Sequence, residues 1–273
     1  FDKNCKIKYK NLVVNKSVKN TIITLIKENK ISSNIIAKWK IRKKYLSNKY
    51  NTYLSKKAIE EKNIKNIICC AINGITNSID YLSDLYFNGI LVKKNINQSL
   101  KWCFIGAEKN NVNSQCKLGL AYSDGIGNLK KNYSKAVYWY SKAAKQNNTD
   151  SMNSLGVLYY NGGYGITKDI QKSFEWFKKS AEQNNAFGLY NLSLNYLYGE
   201  GVKKNTYMAK NLMTKASLKG DIESKRILAN MYFKGIGCQI DILKSIQLWN
   251  EASKQGDIKS KKNLKMIKNI DLL

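Results

Sequence analysis

Hydrophobic positions along this chain fall at helical spacing, and the spacing itself recurs. Leu82, Leu118, Leu155, Leu192 and Leu228 stand 36 or 37 residues apart, each followed by a small residue: Ser83, Gly119, Gly156, Ser193 and Ala229. Four places beyond each leucine is a tyrosine (Tyr86, Tyr122, Tyr159, Tyr196, Tyr232), and seven places beyond it a glycine (Gly89, Gly125, Gly162, Gly199, Gly235). Within one period, Ser114, Leu118, Ala121 and Tyr122 share a helical face, and Gly125 with Gly127 breaks the pattern. This predicts a first helix, A, of about three turns. A second helix, B, starts at an Asn or Asp suited to N-capping: Asn95, Asn132, Asp169, Asn205 or Asp241.

Helix B carries a small residue (Ser99, Ala136, Ser173, Ala209, Ser245) three places before a large one (Trp102, Trp139, Trp176, Leu212, Leu248), then a small pair such as Ala143 and Ala144. Small side chains let helices approach closely, and each Trp or Leu is expected to fill the space between layers. Helix B is predicted to end at Asn110, Asn147, Asn184, Gly220 and Gly256, residue types that tolerate the left-handed conformation of a C-terminal cap, with the next helix A about four residues on. A period of this length marks a stacked array in which each unit touches its neighbours.

The joint spacing of leucine, small residue, tyrosine, two glycines, capping Asx and the helix-B tryptophan resembles the Sel1-like repeat, a relative of the tetratricopeptide repeat. The resemblance implies an all-α fold, an α-solenoid of stacked antiparallel helix pairs forming a right-handed superhelix. It covers five units over residues 77–256. Departures are local: Leu91 replaces the second glycine of the first unit, Gly163 lengthens the third, and Leu212 and Leu248 replace tryptophan. Residues 257–273 are expected to form a capping helix, since Leu264 keeps the beat. Residues 1–76 are expected to form a basic helical extension with a degenerate repeat, because Leu46, Ser47 and Tyr50 hold the register one period before Leu82 and Gly74 falls where a B-helix cap belongs.

The charge balance changes what this array can meet. Of 273 residues, 47 are basic and 19 acidic, a formal +28, and residues 1–76 alone hold 18 basic and 4 acidic side chains. Such an excess favours anionic partners. Only Arg42 and Arg226 are arginines, so bidentate phosphate or base readout has few candidates. Histidine is absent, which excludes histidine triads, histidine bases and histidine metal ligation. The six cysteines show no CxxC pair, and no metal site or cofactor is expected; the thiols are read as reduced, favouring a reducing compartment. The recurring Gly-x-Gly follows a helix instead of a strand and is read as a turn, not a dinucleotide loop. Glu60 and Glu61 point to different helix sides, and no acid–base pair suggests itself. The chain is read as non-enzymatic. Asn-x-Ser/Thr sequons are expected by chance in so Asn-rich a chain, and no apolar run reaches membrane-spanning length. The chain opens on Phe1 and is read as a processed form or an excerpt.

Two surfaces remain as binding candidates. By analogy with tetratricopeptide repeats, the resemblance implies a concave wall built from helix A, at five and two places before the leucine and two, five and six after it. That wall contains Asp80, Asp84, Asp124, Asp150 and Glu223 against Arg226 and Lys234, a formal −3 within a protein of +28. Its middle is apolar, and Val157, Tyr160, Phe187, Tyr190, Leu194, Leu197 and Tyr198 form the candidate protein-binding groove. Packing between successive A helices would use the same side chains. The candidate polyanion surface comprises the loop lysines Lys93, Lys94, Lys130, Lys131, Lys168, Lys203 and Lys204, expected along one edge, and the N-terminal cluster Lys38, Trp39, Lys40, Arg42, Lys43 and Lys44, where aromatics interleave charge. The leading expectation is a scaffold or adaptor binding other proteins within a multi-subunit assembly. The alternative is a ribosome- or RNA-associated component whose basic N-terminus and lysine edge hold phosphates, with docking to an acidic membrane surface a third possibility.

Overall fold

The structure, a computed structural model, describes residue 56 and residues 59–270. The expected degenerate-repeat register at Leu46 and the basic cluster from Lys38 to Lys44 lie outside the described residues. Two compact units divide the chain at Lys109 and Asn110. In the first, α1 (Ile64–Ile72), α2 (Thr76–Asn88) and α3 (Ile96–Glu108) enclose Ile67, Ala71, Ile79, Leu82 and Leu85. The second holds α4 (Val112–Asp124), α5 (Tyr133–Ala144), α6 (Thr149–Asn161), α7 (Ile170–Glu182), α8 (Ala186–Tyr198), α9 (Thr206–Leu218), α10 (Ile222–Lys234), α11 (Ile242–Lys254) and α12 (Ile258–Ile270). Successive helices pack on one another, so four antiparallel pairs stack in order, with α12 against α11 as an unpaired last layer. Twelve helices and no strand are found among the described residues, the all-α solenoid class the repeat predicts.

Capping chemistry sets the helix boundaries. Asn95, Asn132, Asp169, Asn205 and Asp241 each accept a hydrogen bond from the third amide of the following B helix, as with Lys135 N to Asn132 Oδ1 at 2.9 Å. Such a cap contributes about 1 kcal/mol. The A helices start earlier than expected. Asn111, Asn148, Asn185 and Asp221 cap them in the same way, and Asp257 bonds to Ser260 N, so each A helix begins two residues after the left-handed residue and not four. The B-helix exits Asn110, Asn147, Asn184, Gly220 and Gly256 do adopt positive φ, but they stand one or two places beyond the helix's C-cap residue.

The register of the buried large residue also differs from expectation. Trp102, Trp176, Leu212 and Leu248 reach between layers, each packing against the cluster of the preceding helix pair, but only half-buried. The fully enclosed plug is the next residue: Cys103, Tyr140, Phe177, Met213 and Trp249. In the first four units the plug faces the small residue that follows the repeat leucine. Ser83 Oγ lies 3.0 Å from Cys103 Sγ, and Ser193 Oγ lies 3.6 Å from Met213 Sδ. Opposite Tyr140 and Phe177 glycine is required: a Cβ on Gly119 would stand 2.5 Å from the Tyr140 ring, and one on Gly156 would stand 2.5 Å from Phe177. Helix B exposes two adjacent positions to the interior arc; the second is enclosed in all five units, and Gly119 and Gly156 leave room for a ring there.

Cys70 and Cys103 are buried thiols, and Cys116 and Cys238 are free and half-buried. Cys69 is disulfide-bonded. The expectation of six reduced thiols fails there, and with it the uniform basis for favouring a reducing compartment.

Candidate protein-binding groove

Helices α4, α6 and α8 present their outer residues side by side in the second unit. On α6, Met152, Leu155 and Leu158 turn inward, which rotates Val157 outward with 37% of its surface exposed. On α8, Gly188 lies so close to Ser180 and Ala181 of α7 that a Cβ there would meet Ser180 Oγ at 2.5 Å. The first turn of α8 is thereby pressed onto α7, and Phe187, 47% exposed, projects away from it. Tyr198 closes the helix at 66% exposure.

These side chains border two hollows that share Val157. The first, about 460 Å³, is lined by Leu120 and Ser123 of α4, Asp150, Asn153, Ser154, Val157 and Leu158 of α6, and Phe187 of α8, over a floor of Tyr140. The second, about 440 Å³, lies between Val157 and Tyr160 on one side and Asn191, Leu194, Asn195, Tyr198 and Glu200 on the other, over Phe177. Both floors are aromatic plugs seated on glycine, so the size complementarity that closes the core also sets the depth of the groove. The wall is stapled: Asn153 Nδ2 donates to Asn185 Oδ1 at 3.0 Å, and Asn185 Nδ2 donates to Thr149 Oγ1 at 3.0 Å, tying α6 to the start of α8.

Of the seven groove residues expected from sequence, Val157, Tyr160, Phe187, Leu194 and Tyr198 line the hollows. Tyr190 and Leu197 do not; both pack against the cluster of Met213, Leu228 and Met231, between the A helices. Burial pushes the Tyr190 hydroxyl pKa upward, as that packing requires. Glu200 escaped the sequence reading. Tyr160 Oη donates to Glu200 Oε1 at 3.1 Å, a bond that raises the Tyr160 pKa because the phenolate would face a carboxylate. Asn195 Nδ2 holds Glu200 in place by donating to its carbonyl oxygen at 2.9 Å. The sequence does carry a signal: between the loop glycines, other units have isoleucine (Ile126, Ile236) where this one has Glu200.

The loop lysines Lys93 and Lys94 of the first unit, and Lys130, Lys131, Lys168, Lys203 and Lys204 of the second, are all exposed. Two have structural work. Lys131 Nζ lies 5.6 Å from the Tyr164 ring and Lys168 Nζ lies 5.1 Å from the Tyr160 ring, at cation–π range. Other lysines stack likewise on the repeat tyrosines, Lys135 on Tyr122, Lys172 on Tyr159 and Lys244 on Tyr232. Part of the positive charge is thus committed to the fold. No cluster of acidic, cysteine or histidine side chains able to hold a metal occurs among the described residues, and none of the described helices is long and apolar enough to cross a membrane.

The Sel1 repeat family model matches residues 78–111, 112–148, 149–185, 186–221 and 222–257. A comparison with curated protein sequences found no match. Among solved structures, a protective antigen of uropathogenic Escherichia coli displaying an SLR fold is 27% identical, with a TM-score of 0.75; the match covers 85% of this chain and 52% of that one, so this chain spans about half of its length. A Sel1 repeat protein from Oxalobacter formigenes is 28% identical, with a TM-score of 0.67, covering 77% of this chain and 86% of that one.

Proposed function

This chain belongs to the Sel1 repeat family, whose members are generally non-catalytic protein-interaction scaffolds, and from that premise we propose that it is an adaptor holding a segment of a partner protein against α4, α6 and α8. The observation that carries the reading is the pair of hollows joined at Val157, with Phe187 and Tyr198 raised beside them on a hydrogen-bonded wall. Apolar side chains held out in this way are suited to an amphipathic helix or an extended segment. The adaptor would work by tethering within a larger assembly, without turnover.

Pull-down from native extract with the full chain, set against Val157→Asp combined with Phe187→Ala, tests this. Both residues are exposed enough for the variant to keep the helical circular dichroism of the parent. Loss of the captured partner is the expected result; a partner retained by the variant refutes the groove. A second reading, polyanion binding, is supported by the exposed Lys130, Lys203 and Lys204, which stack on no ring among the described contacts. It predicts retention of RNA that falls steeply between about 50 and 200 mM salt.

A further inference from the structure

The polar groups of the groove have a bias that the chain as a whole does not share. Among the described residues no lysine or arginine lines either hollow, whereas Asp150 lines one and Glu200 the other. Several hydrogen-bond donors there are already engaged within the protein. Asn153 Nδ2 donates to Asn185, Asn191 Nδ2 to Phe187 O, Asn195 Nδ2 to Glu200 O, Ser154 Oγ to Asp150 O, and Tyr160 Oη to Glu200. The charged groups that remain are acceptors, the carboxylates of Asp150 and Glu200; Asn153 Oδ1 and Asn195 Oδ1 lie buried without a partner beside them. A ligand that meets these groups must bring donors.

Resting on the adaptor reading above, we propose that the groove selects a cationic amphipathic segment of another protein, one whose leucine or aromatic side chains fill the hollows while its lysines or arginines meet Asp150 and Glu200. The net charge of +28 does not forbid this. Screening reduces the field of exposed charges more than about 8 Å away at physiological ionic strength, so near groups decide the preference. Complementary charges at such a rim govern specificity more than total affinity. One cation does stand near the second hollow: Lys168 Nζ, 5.1 Å from the Tyr160 ring centroid. It supplies a control of opposite sign.

The probe is a random linear-peptide phage library, selected on the immobilised full chain at physiological salt. Peptides count as groove-dependent when they are not retained by the Val157→Asp, Phe187→Ala variant, which removes from consideration those held by surface lysines. Groove-dependent peptides should combine leucine or aromatic residues with net positive charge. Asp150→Asn with Glu200→Gln should weaken a synthetic representative by about tenfold, each rim pair contributing a few-fold. Lys168→Gln should tighten it. Groove-dependent peptides that are acidic or lack lysine and arginine, or an affinity unmoved by the paired carboxylate variant, would overturn the charge assignment while leaving the groove itself intact. Selection that yields no groove-dependent peptide overturns the adaptor reading, and this inference with it.

Discussion

Replacing Gly156 by alanine sets two well-characterised effects against each other. Gly156 lies inside α6, where alanine is favoured over glycine by roughly 0.5–1 kcal/mol because glycine loses more backbone entropy on folding. The added Cβ, however, would stand 2.5 Å from Phe177 Cε1, 2.7 Å from Cδ1 and 2.8 Å from Cζ, where ordinary contact is 3.4–4 Å. Phe177 is only 4% exposed and is held among Phe174, Ala181, Leu189 and Leu192, so the ring can give way only toward the hollow it floors, at the expense of those contacts. Forcing a methyl into a packed core costs about 1–3 kcal/mol. The net is destabilisation of up to roughly 2.5 kcal/mol, and each kcal/mol should lower the melting temperature of a segment this long by about 2–4 °C. Scanning calorimetry gives the sign, and amide exchange in α6 and α7 locates the loss, since stacked repeats open locally. In a Phe177→Leu background the ring is gone, and the same substitution should become neutral or stabilising. A higher melting temperature for Gly156→Ala with Phe177 intact would refute the size-matching argument.

Other consequences are open to direct measurement. Asn132→Ala should cost about 1 kcal/mol in chemical denaturation, and Asn148→Ala a similar amount, because each removes the acceptor for one helix-start amide. Asp257 is pushed up by burial, but hydrogen bonds from Ser260 and the nearby Arg226 guanidinium outweigh this and lower its pKa. A depressed carboxylate contributes stability above its unfolded-state pKa of about 3.9 and loses it as pH falls through the folded value. Asp257→Asn keeps the cap and removes the charge, so its melting-temperature deficit at neutral pH should close under acid; a deficit that persists there contradicts the assignment. Glu200→Gln should return Tyr160 toward the ordinary tyrosine range, read from phenolate absorbance in an alkaline titration.

The solenoid was legible because its determinants are local and repeat: glycines where helix A ends, Asx where helix B starts, and a leucine every 36 or 37 residues. The A-helix caps Asn111, Asn148, Asn185 and Asp221 recur just as regularly, yet Ser114 offered a competing start on the same face and drew the boundary too late. The plug was misplaced by one residue for a different reason. Trp139 and Tyr140 are both large and adjacent, so residue type does not rank them; the enclosed register is shared by all five units, and Gly119, on another helix, leaves the room that the Tyr140 ring takes up there. Tyr190 and Leu197 satisfied the groove register but also the packing register between α8 and α10, and packing took them.

Size matching and the groove are therefore one feature seen from two sides. Leu155 and its following glycine form an ordinary repeat core, but Gly156 lets Phe177 rise far enough to become the floor of a hollow, as Gly119 does for Tyr140. In the fourth unit, Ser193 faces the flexible sulfur of Met213 instead. Drift at the residue after the repeat leucine then has two readings at once: it sets how deeply helix B seats, and it sets how deep the outer wall is at that layer. A solenoid built this way can vary its binding surface unit by unit, while the capping residues that define each helix stay unchanged.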